Sequence, residues 1–232
     1  MTLFALLHGG MHHGSSWDLV VHELTSRGHQ VVAPDLPVDD DAAGATEWAR
    51  VAIDAIDQAG DDDAIVVGHS IAGLSVPVVA ALHPVRRMVF VGGLLPVPGQ
   101  RFVDHLADNP DAISFPAGEN SGSGPFGLTW ESVRAGFYHD CPESLARQAF
   151  DELRGQSFTV LTERCPLECW PDVPSTYVLM RHDRAVGRSW ARRNAVDRVG
   201  ATVIEMDGGH SPFFARPTEL GDVLAGVAEA GV

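Results

Sequence analysis

Short apolar runs alternate with stretches of helical periodicity along most of the chain, the pattern of βαβ units feeding a parallel sheet. The apolar runs predict strands at residues 3–7, 31–33, 64–67, 87–91, 176–180 and 202–206. Most are apolar on both faces, as strands in a sheet covered by helices must be. Helical patterns fall at 17–27, 46–59, 71–82, 187–199 and 217–228. In the second of these, Trp48, Val51, Ala52, Ala55, Ile56 and Ala59 recur at i, i+3, i+4, i+7 spacing and form a stripe that faces the sheet.

The rhythm breaks between Leu95 and Asp172. This stretch is rich in Pro, Gly and aromatic residues (Phe102, Phe115, Phe126, Trp130, Phe137, Tyr138 and Trp170). A loop-like run at 116–125 precedes two helical patterns, 129–138 and 143–153. Regular alternation resumes at Ser175. An insertion of about 75 residues is small for an independent unit. The expectation is therefore one α/β domain over 1–232, with a cap inserted at approximately 97–171 on top of the sheet.

A chain of 232 residues is long enough to bury a sizeable core. Its formal charge of −15, with no basic cluster, penalises binding to nucleic acid or an anionic membrane. All 16 basic residues are Arg, and the absence of Lys excludes Schiff-base chemistry and a Walker A phosphate loop. The longest apolar stretch, 88–98, is too short to span a bilayer. Three cysteines, Cys141, Cys165 and Cys169, and no export signal lead to the expectation of reduced thiols in a cytoplasmic protein. Cys165 and Cys169 lack the second pair or spaced His that a zinc site needs, so no metal is expected.

Candidate chemistry centres on Ala64-Ile-Val-Val-Gly-His-Ser-Ile-Ala-Gly73, where a buried strand runs straight into a helix with Ser70 on the turn. A nucleophile elbow needs small neighbours two residues either side of the Ser, and Gly68 and Ala72 meet that need. A serine N-cap on an ordinary βα turn would give the same local pattern. Two further features favour the nucleophile. The first strand ends in Leu7-His8-Gly9-Gly10, where backbone N–H groups can face a developing oxyanion; with the residue after the nucleophile, the donors would be Gly10 and Ile71. Met206-Asp-Gly-Gly-His210 places a His just past the last strand, completing the order Ser, acid, His. The acid should stand at the carboxyl end of a strand. Asp183, after the 176–180 strand, is the first candidate and Asp207, on the same turn as His210, the competitor. His69 reads as packing under the elbow, and His8, His12 and His13 as structure of the oxyanion turn.

Five stretches, His8-Gly-Gly-Met-His-His-Gly-Ser-Ser-Trp17, Ala33-Pro-Asp-Leu36, Gly68-His-Ser-Ile-Ala-Gly73, Tyr177-Val-Leu-Met-Arg-His-Asp183 and Gly208-Gly-His-Ser-Pro212, run from one end of the chain to the other. Together they resemble the small α/β-hydrolases that include plant methylesterases, salicylate-binding esterases, hydroxynitrile lyases and bacterial relatives. The resemblance implies an α/β-hydrolase fold, with a mostly parallel six-stranded sheet, helices on both faces and a small cap. It also implies a triad of Ser70, Asp183 and His210, an oxyanion hole of the Gly10 and Ile71 N–H groups, and no cofactor. The expected partner is a small-molecule ester, held by Gly9, Met11, Trp130 and Phe137; a homodimer stays open. In the resembling lyases a Lys follows the catalytic His and a Thr follows the first-strand His, where this chain has Ser211 and Gly9. The expectation is thus a serine esterase, or lactonase, for small to medium hydrophobic substrates. Alternatives are a hydroxynitrile lyase or other cofactor-free lyase or C–C hydrolase on the same residues, and a ligand-binding receptor on a hydrolase fold.

Overall fold

The computed structural model describes residues 1–60, 63–114 and 128–230; the 116–125 run and the aromatics Phe115 and Phe126 lie outside them. Its strands are β1 (Leu3–Leu7), β2 (Gln30–Val32), β3 (Ile65–His69), β4 (Arg87–Val91), β5 (Ser175–Met180) and β6 (Thr202–Met206). They form one sheet in the order β2-β1-β3-β4-β5-β6, and every neighbouring pair is parallel. The mostly parallel sheet expected from the pattern is thus wholly parallel among the described residues.

The helices are α1 (Asp18–Ser26), α2 (Ala45–Ala59), α3 (Val76–Leu82), α4 (Phe102–Asp108), α5 (Trp130–Gly136), α6 (Glu143–Asp151), α7 (Thr159–Thr162), α8 (Arg188–Arg193), α9 (Pro212–Ala215) and α10 (Pro217–Glu229). Four of them, α4 to α7, lie in the connection between β4 and β5. Strand residues divide by parity between two cores. Leu3, Ala5, Leu7, Val66, Met88, Phe90, Tyr177 and Leu179 join the core that holds Trp48 and Ile56 of α2, Val79 of α3 and Trp190 of α8. Phe4, Leu6, Ile65, Val67, Val89, Val91, Val178 and Met180 face the opposite core, with Val20 and Leu24 of α1 and Leu220 and Leu224 of α10. Period-2 alternation is invisible in such strands because both faces are apolar. Trp48 and Trp190 are fully buried. Each such ring removes some 150–250 Å² from water, worth roughly 4–6 kcal/mol at 25 cal/mol/Å².

The chain runs from β1 out to β2, then crosses back to β3 on the other side of β1 before filling the sheet to β6. Right-handed crossovers in opposite directions put α1 on one face and α2 and α3 on the other. The strand order reverses between β1 and β3. Open parallel sheets bind ligands beyond the carboxyl ends of the strands at such a reversal. No helix among the described residues is long and apolar enough to cross a membrane.

The predicted helix at 71–82 is two pieces. Residues Ser70–Leu74 form a 3-10 turn and the α-helix starts at Val76. Pro77 has no N–H to donate to the Gly73 carbonyl, so the α-helical ladder cannot run through from Ser70. The predicted helix at 187–199 likewise changes to a π turn over Asn194–Arg198.

Candidate active site

Ser70 follows β3 directly and has φ +52°, a left-handed conformation that side chains rarely adopt. Small neighbours permit it. A Cβ at Gly68 would run into Val76, and one at Gly73 into the Leu94 carbonyl oxygen. Ala72 is fully buried and accommodated, so the second tight position falls on Gly73. The Leu94 N–H donates to the Ser70 carbonyl (2.8 Å), tying the elbow to the loop after β4. That loop is fastened in turn by Arg198, which donates to the carbonyls of Leu95 (2.7 Å) and Pro96 (2.6 Å). Burial pushes the Arg198 guanidinium down to about 10.

His210 stands on the turn after β6, 2% exposed. Its Nε2 lies 3.0 Å from Ser70 Oγ and its Nδ1 2.9 Å from Asp183 Oδ2. A carboxylate oxygen only accepts, so Nδ1 carries the proton and Nε2 is left to accept from the serine hydroxyl. The carboxylate is itself oriented: Asp183 Oδ1 accepts the N–H groups of Ala185 (2.8 Å) and Val186 (2.9 Å). Gly92, at φ +52°, opens the space beside it, since a Cβ there would come 3.0 Å from Asp183 Oδ2. Of the two acids considered, Asp183 reaches the ring; Asp207 points outward to His182 (3.1 Å) and Arg216 (3.5 Å).

Around Ser70 is a cleft of about 130 Å³ lined by Gly10, Met11, His12, His69, Ile71, Phe137, Gln156 and His210. Gly10, Ile71, Met11 and Phe137 thus line the same cleft as Ser70 and His210. Two expected substrate contacts sit elsewhere. Trp130 is taken up by the β4–β5 connection, edge-on to Phe150 with Arg147 over its face (3.7 Å). Gly9 is buried under the cleft, and the place its side chain would fill holds His69 Nδ1, 2.5 Å from an ideal Cβ. Its lack of a side chain makes room for a histidine rather than for a ligand.

The crowded histidines are structural in this geometry. His8 Nε2 accepts the Leu36 N–H and its Nδ1–H donates to the Gly9 carbonyl, both at 2.9 Å. His12 Nδ1–H donates to the Gly10 carbonyl (2.7 Å), and its Nε2 accepts from the Tyr138 hydroxyl (2.8 Å). His69 Nε2–H donates to the His210 carbonyl (2.9 Å). Burial lowers His8 to about 3, His12 to about 4 and His69 well below the ordinary histidine range. Two polar residues of the β4–β5 connection also hold the site, and no spacing rule marked either of them. Asp140 Oδ2 accepts the Gly209 N–H (2.7 Å) next to His210, and Gln156 Oε1 accepts the Met11 N–H (3.1 Å).

Three buried neutral histidines have a consequence for folding. In the unfolded chain each protonates near pH 6.5, whereas in the folded protein each stays neutral well below that. Their contribution to stability is whole above about pH 6.5 and is lost as pH falls toward about 4, at up to about 1.4 kcal/mol per pH unit for each histidine. Urea midpoints should therefore drop steeply between pH 7 and pH 5. A midpoint that is flat over that range would contradict their neutral burial.

Comparison with known proteins identifies the family and the fold. The chain is 26% identical over 249 residues to a pyrethroid hydrolase of Sphingobium wenxiniae (strain DSM 21828 / CGMCC 1.7748 / JZ-1), covering 99% of this chain and 89% of that protein. It is 24% identical over 253 residues to an alpha-hydroxynitrile lyase of Arabidopsis thaliana, covering 97% and 96%. A crystal structure of a pyrethroid hydrolase superposes with a TM-score of 0.80 at 23% identity, over 99% of this chain and 98% of the other, which establishes the shared fold. The model of the alpha/beta hydrolase family matches residues 4–223, and the chain belongs to that family.

Proposed function

We propose that this protein is a serine esterase acting on small to medium, neutral, hydrophobic carboxylic esters. The observation that carries the reading is the continuous relay from Ser70 Oγ through His210 to Asp183, with the serine held at positive φ at the mouth of an apolar cleft. His210 Nε2 takes the Ser70 proton as Oγ attacks the ester carbonyl. The Gly10 and Ile71 N–H groups are the proposed donors to the oxyanion, and no acceptor among the described residues takes the Gly10 N–H. His210 then protonates the leaving alcohol. Water enters and attacks the acyl carbonyl as His210 takes its proton, and His210 returns that proton to Ser70 Oγ as the acyl group leaves as the acid. Every step uses groups of this chain, and none calls on a cofactor.

A lyase reading has one supporting observation, the similarity to a hydroxynitrile lyase. The residues favour the esterase. In the resembling lyases the charge that stabilises departing cyanide comes from a Lys after the catalytic His. Here that position is Ser211, fully buried, and the chain contains no Lys. The nearest arginine in sequence, Arg216, is engaged by Asp207 and Glu219. Purified protein should hydrolyse p-nitrophenyl acetate and butyrate while releasing no cyanide from mandelonitrile above the uncatalysed rate. Cyanide release that disappears in Ser70→Ala would make the lyase the better assignment. Failure to turn over any activated ester, with no acylation of Ser70, would favour a receptor on the hydrolase scaffold.

A further inference from the structure

Met11 has φ +64°, and like Ser70 it is a non-glycine residue in the left-handed region; it directly follows the proposed oxyanion donor Gly10. A side chain adopts that conformation only where its surroundings hold it. The groups that hold it come from residues 154–157, where the connection between β4 and β5 passes the turn. The Arg154 N–H donates to the Met11 carbonyl (3.0 Å), and Arg154 Nε donates to the His12 carbonyl (2.9 Å). Gln156 Oε1 accepts the Met11 N–H (3.1 Å). The other end of that amide is also fixed: Gln156 Nε2 donates to the Ser157 carbonyl (2.6 Å), and the Ser157 N–H donates to Val38 (2.5 Å). Gln156 is 8% exposed and lines the cleft beside Ser70.

These bonds fix both peptide planes that meet at the Gly10 Cα. In the Gly10–Met11 peptide the carbonyl is held by His12 and the N–H by Gln156. In the Gly9–Gly10 peptide the carbonyl is held by His8, and a trans peptide then points the Gly10 N–H the opposite way. The glutamine also presses close, for a Cβ at Gly10 would meet Gln156 Oε1 at 2.5 Å. Glycine at this position and glutamine at 156 are therefore made for each other.

We propose that Gln156 is a positioning residue for transition-state stabilisation, fixing the Gly10–Met11 peptide on one side of the Gly10 Cα and so holding, together with His8 on the other side, the aim of the Gly10 N–H. This rests on the esterase reading. Gln156 itself transfers no proton and makes no bond to the acyl group. Its substitution should therefore act on kcat rather than on KM, because a donor aimed at the oxyanion matters most once charge has developed.

The test compares the parent protein with Gln156→Leu and Gln156→Glu on p-nitrophenyl butyrate across pH, with thermal midpoints measured alongside. Gln156→Leu keeps the bulk and removes the acceptor; kcat should fall about 10- to 100-fold with KM changed less than about 2-fold, given that a misaimed donor forfeits much of its contribution. Gln156→Glu keeps an oxygen for the Met11 N–H but, once ionised, sets a negative charge against the oxyanion. Its kcat should approach the parent's at the acid end and decline relative to the parent as pH rises. A glutamine that merely braces the fold would lower the thermal midpoint without the split between kcat and KM. A Gln156→Leu protein with parental kcat, or a loss confined to KM, would overturn the proposal. If Gln156→Leu does not fold, Gln156→Glu decides alone, and a kcat ratio to the parent that is constant with pH overturns it. An inactive parent whose Ser70 resists a fluorophosphonate sinks the esterase reading instead, so the two failures are distinguishable.

Discussion

Ser70→Ala protein should hydrolyse p-nitrophenyl butyrate at least about 10⁴-fold more slowly than the parent, since loss of the nucleophile in such a constellation leaves only binding and oxyanion stabilisation. The same substitution should abolish covalent labelling by a fluorophosphonate, whose adduct in the parent should map to the peptide containing Ser70. Stability supplies an independent readout. Ser70 holds φ +52° at an energetic cost that glycine does not bear. Ser70→Gly should therefore be equally inactive yet more stable than Ser70→Ala, by on the order of 1 kcal/mol in urea unfolding. Labelling that persists in Ser70→Ala would refute the assignment of the nucleophile. Equal stability of the two variants would refute the strain.

Asp183→Asn should lower kcat by roughly 10⁴-fold with little change in the fold, because an amide at this position can donate to His210 Nδ1 and favour the wrong tautomer. The carboxylate now accepts from the Ala185 and Val186 N–H groups as well as from His210, and an asparagine oxygen can keep the two backbone bonds. The damage should thus be chemical rather than structural. Asp207→Asn is the control. Its side chain, 46% exposed, meets His182 and Arg216 at the surface and never reaches the imidazole. Exposed pairs of this kind contribute about 0–1 kcal/mol, so kcat should change less than about 2-fold. The opposite ranking of the two variants would move the acid to Asp207 and would mean that the turn after β6 rearranges during turnover.

The chain announces its layered architecture because apolar strands, amphipathic helices and turn residues are local signals. β1, β4 and β6 lie where the apolar runs end. β3 extends two residues beyond its predicted limit, through Gly68 and His69, since extended backbone next to two paired strands does not require an apolar side chain at every position. The helices in the β4–β5 connection at Phe102–Asp108 and Thr159–Thr162 carry too few turns for periodicity to register. The candidate site was legible in part for a related reason. Ser70, Gly10, Ile71 and His210 stand at the carboxyl ends of strands, where chemistry demands particular residue types in a particular chain order.

What local pattern could not supply was the set of partners that meet only after folding. Asp183 and Asp207 are both acids following strands. The choice between them depends on whether a side chain turns toward His210 or toward solvent, a matter of turn geometry over a few ångströms. Gly9 reads as an open space beside a ligand until the neighbouring strand brings His69 into it. Trp130 reads as a cleft aromatic until Phe150 and Arg147 enclose it. Gln156 lies 145 positions from the Met11 N–H that it accepts. Fold class and the proposed nucleophile and base follow from short-range constraints of strand, turn and strain, which act within about ten residues. The placement of Asp183 beside His210, the lining of the cleft and the bond from the Met11 N–H to Gln156 follow from contacts between distant segments, whose energies exist only once the sheet has brought its carboxyl ends together.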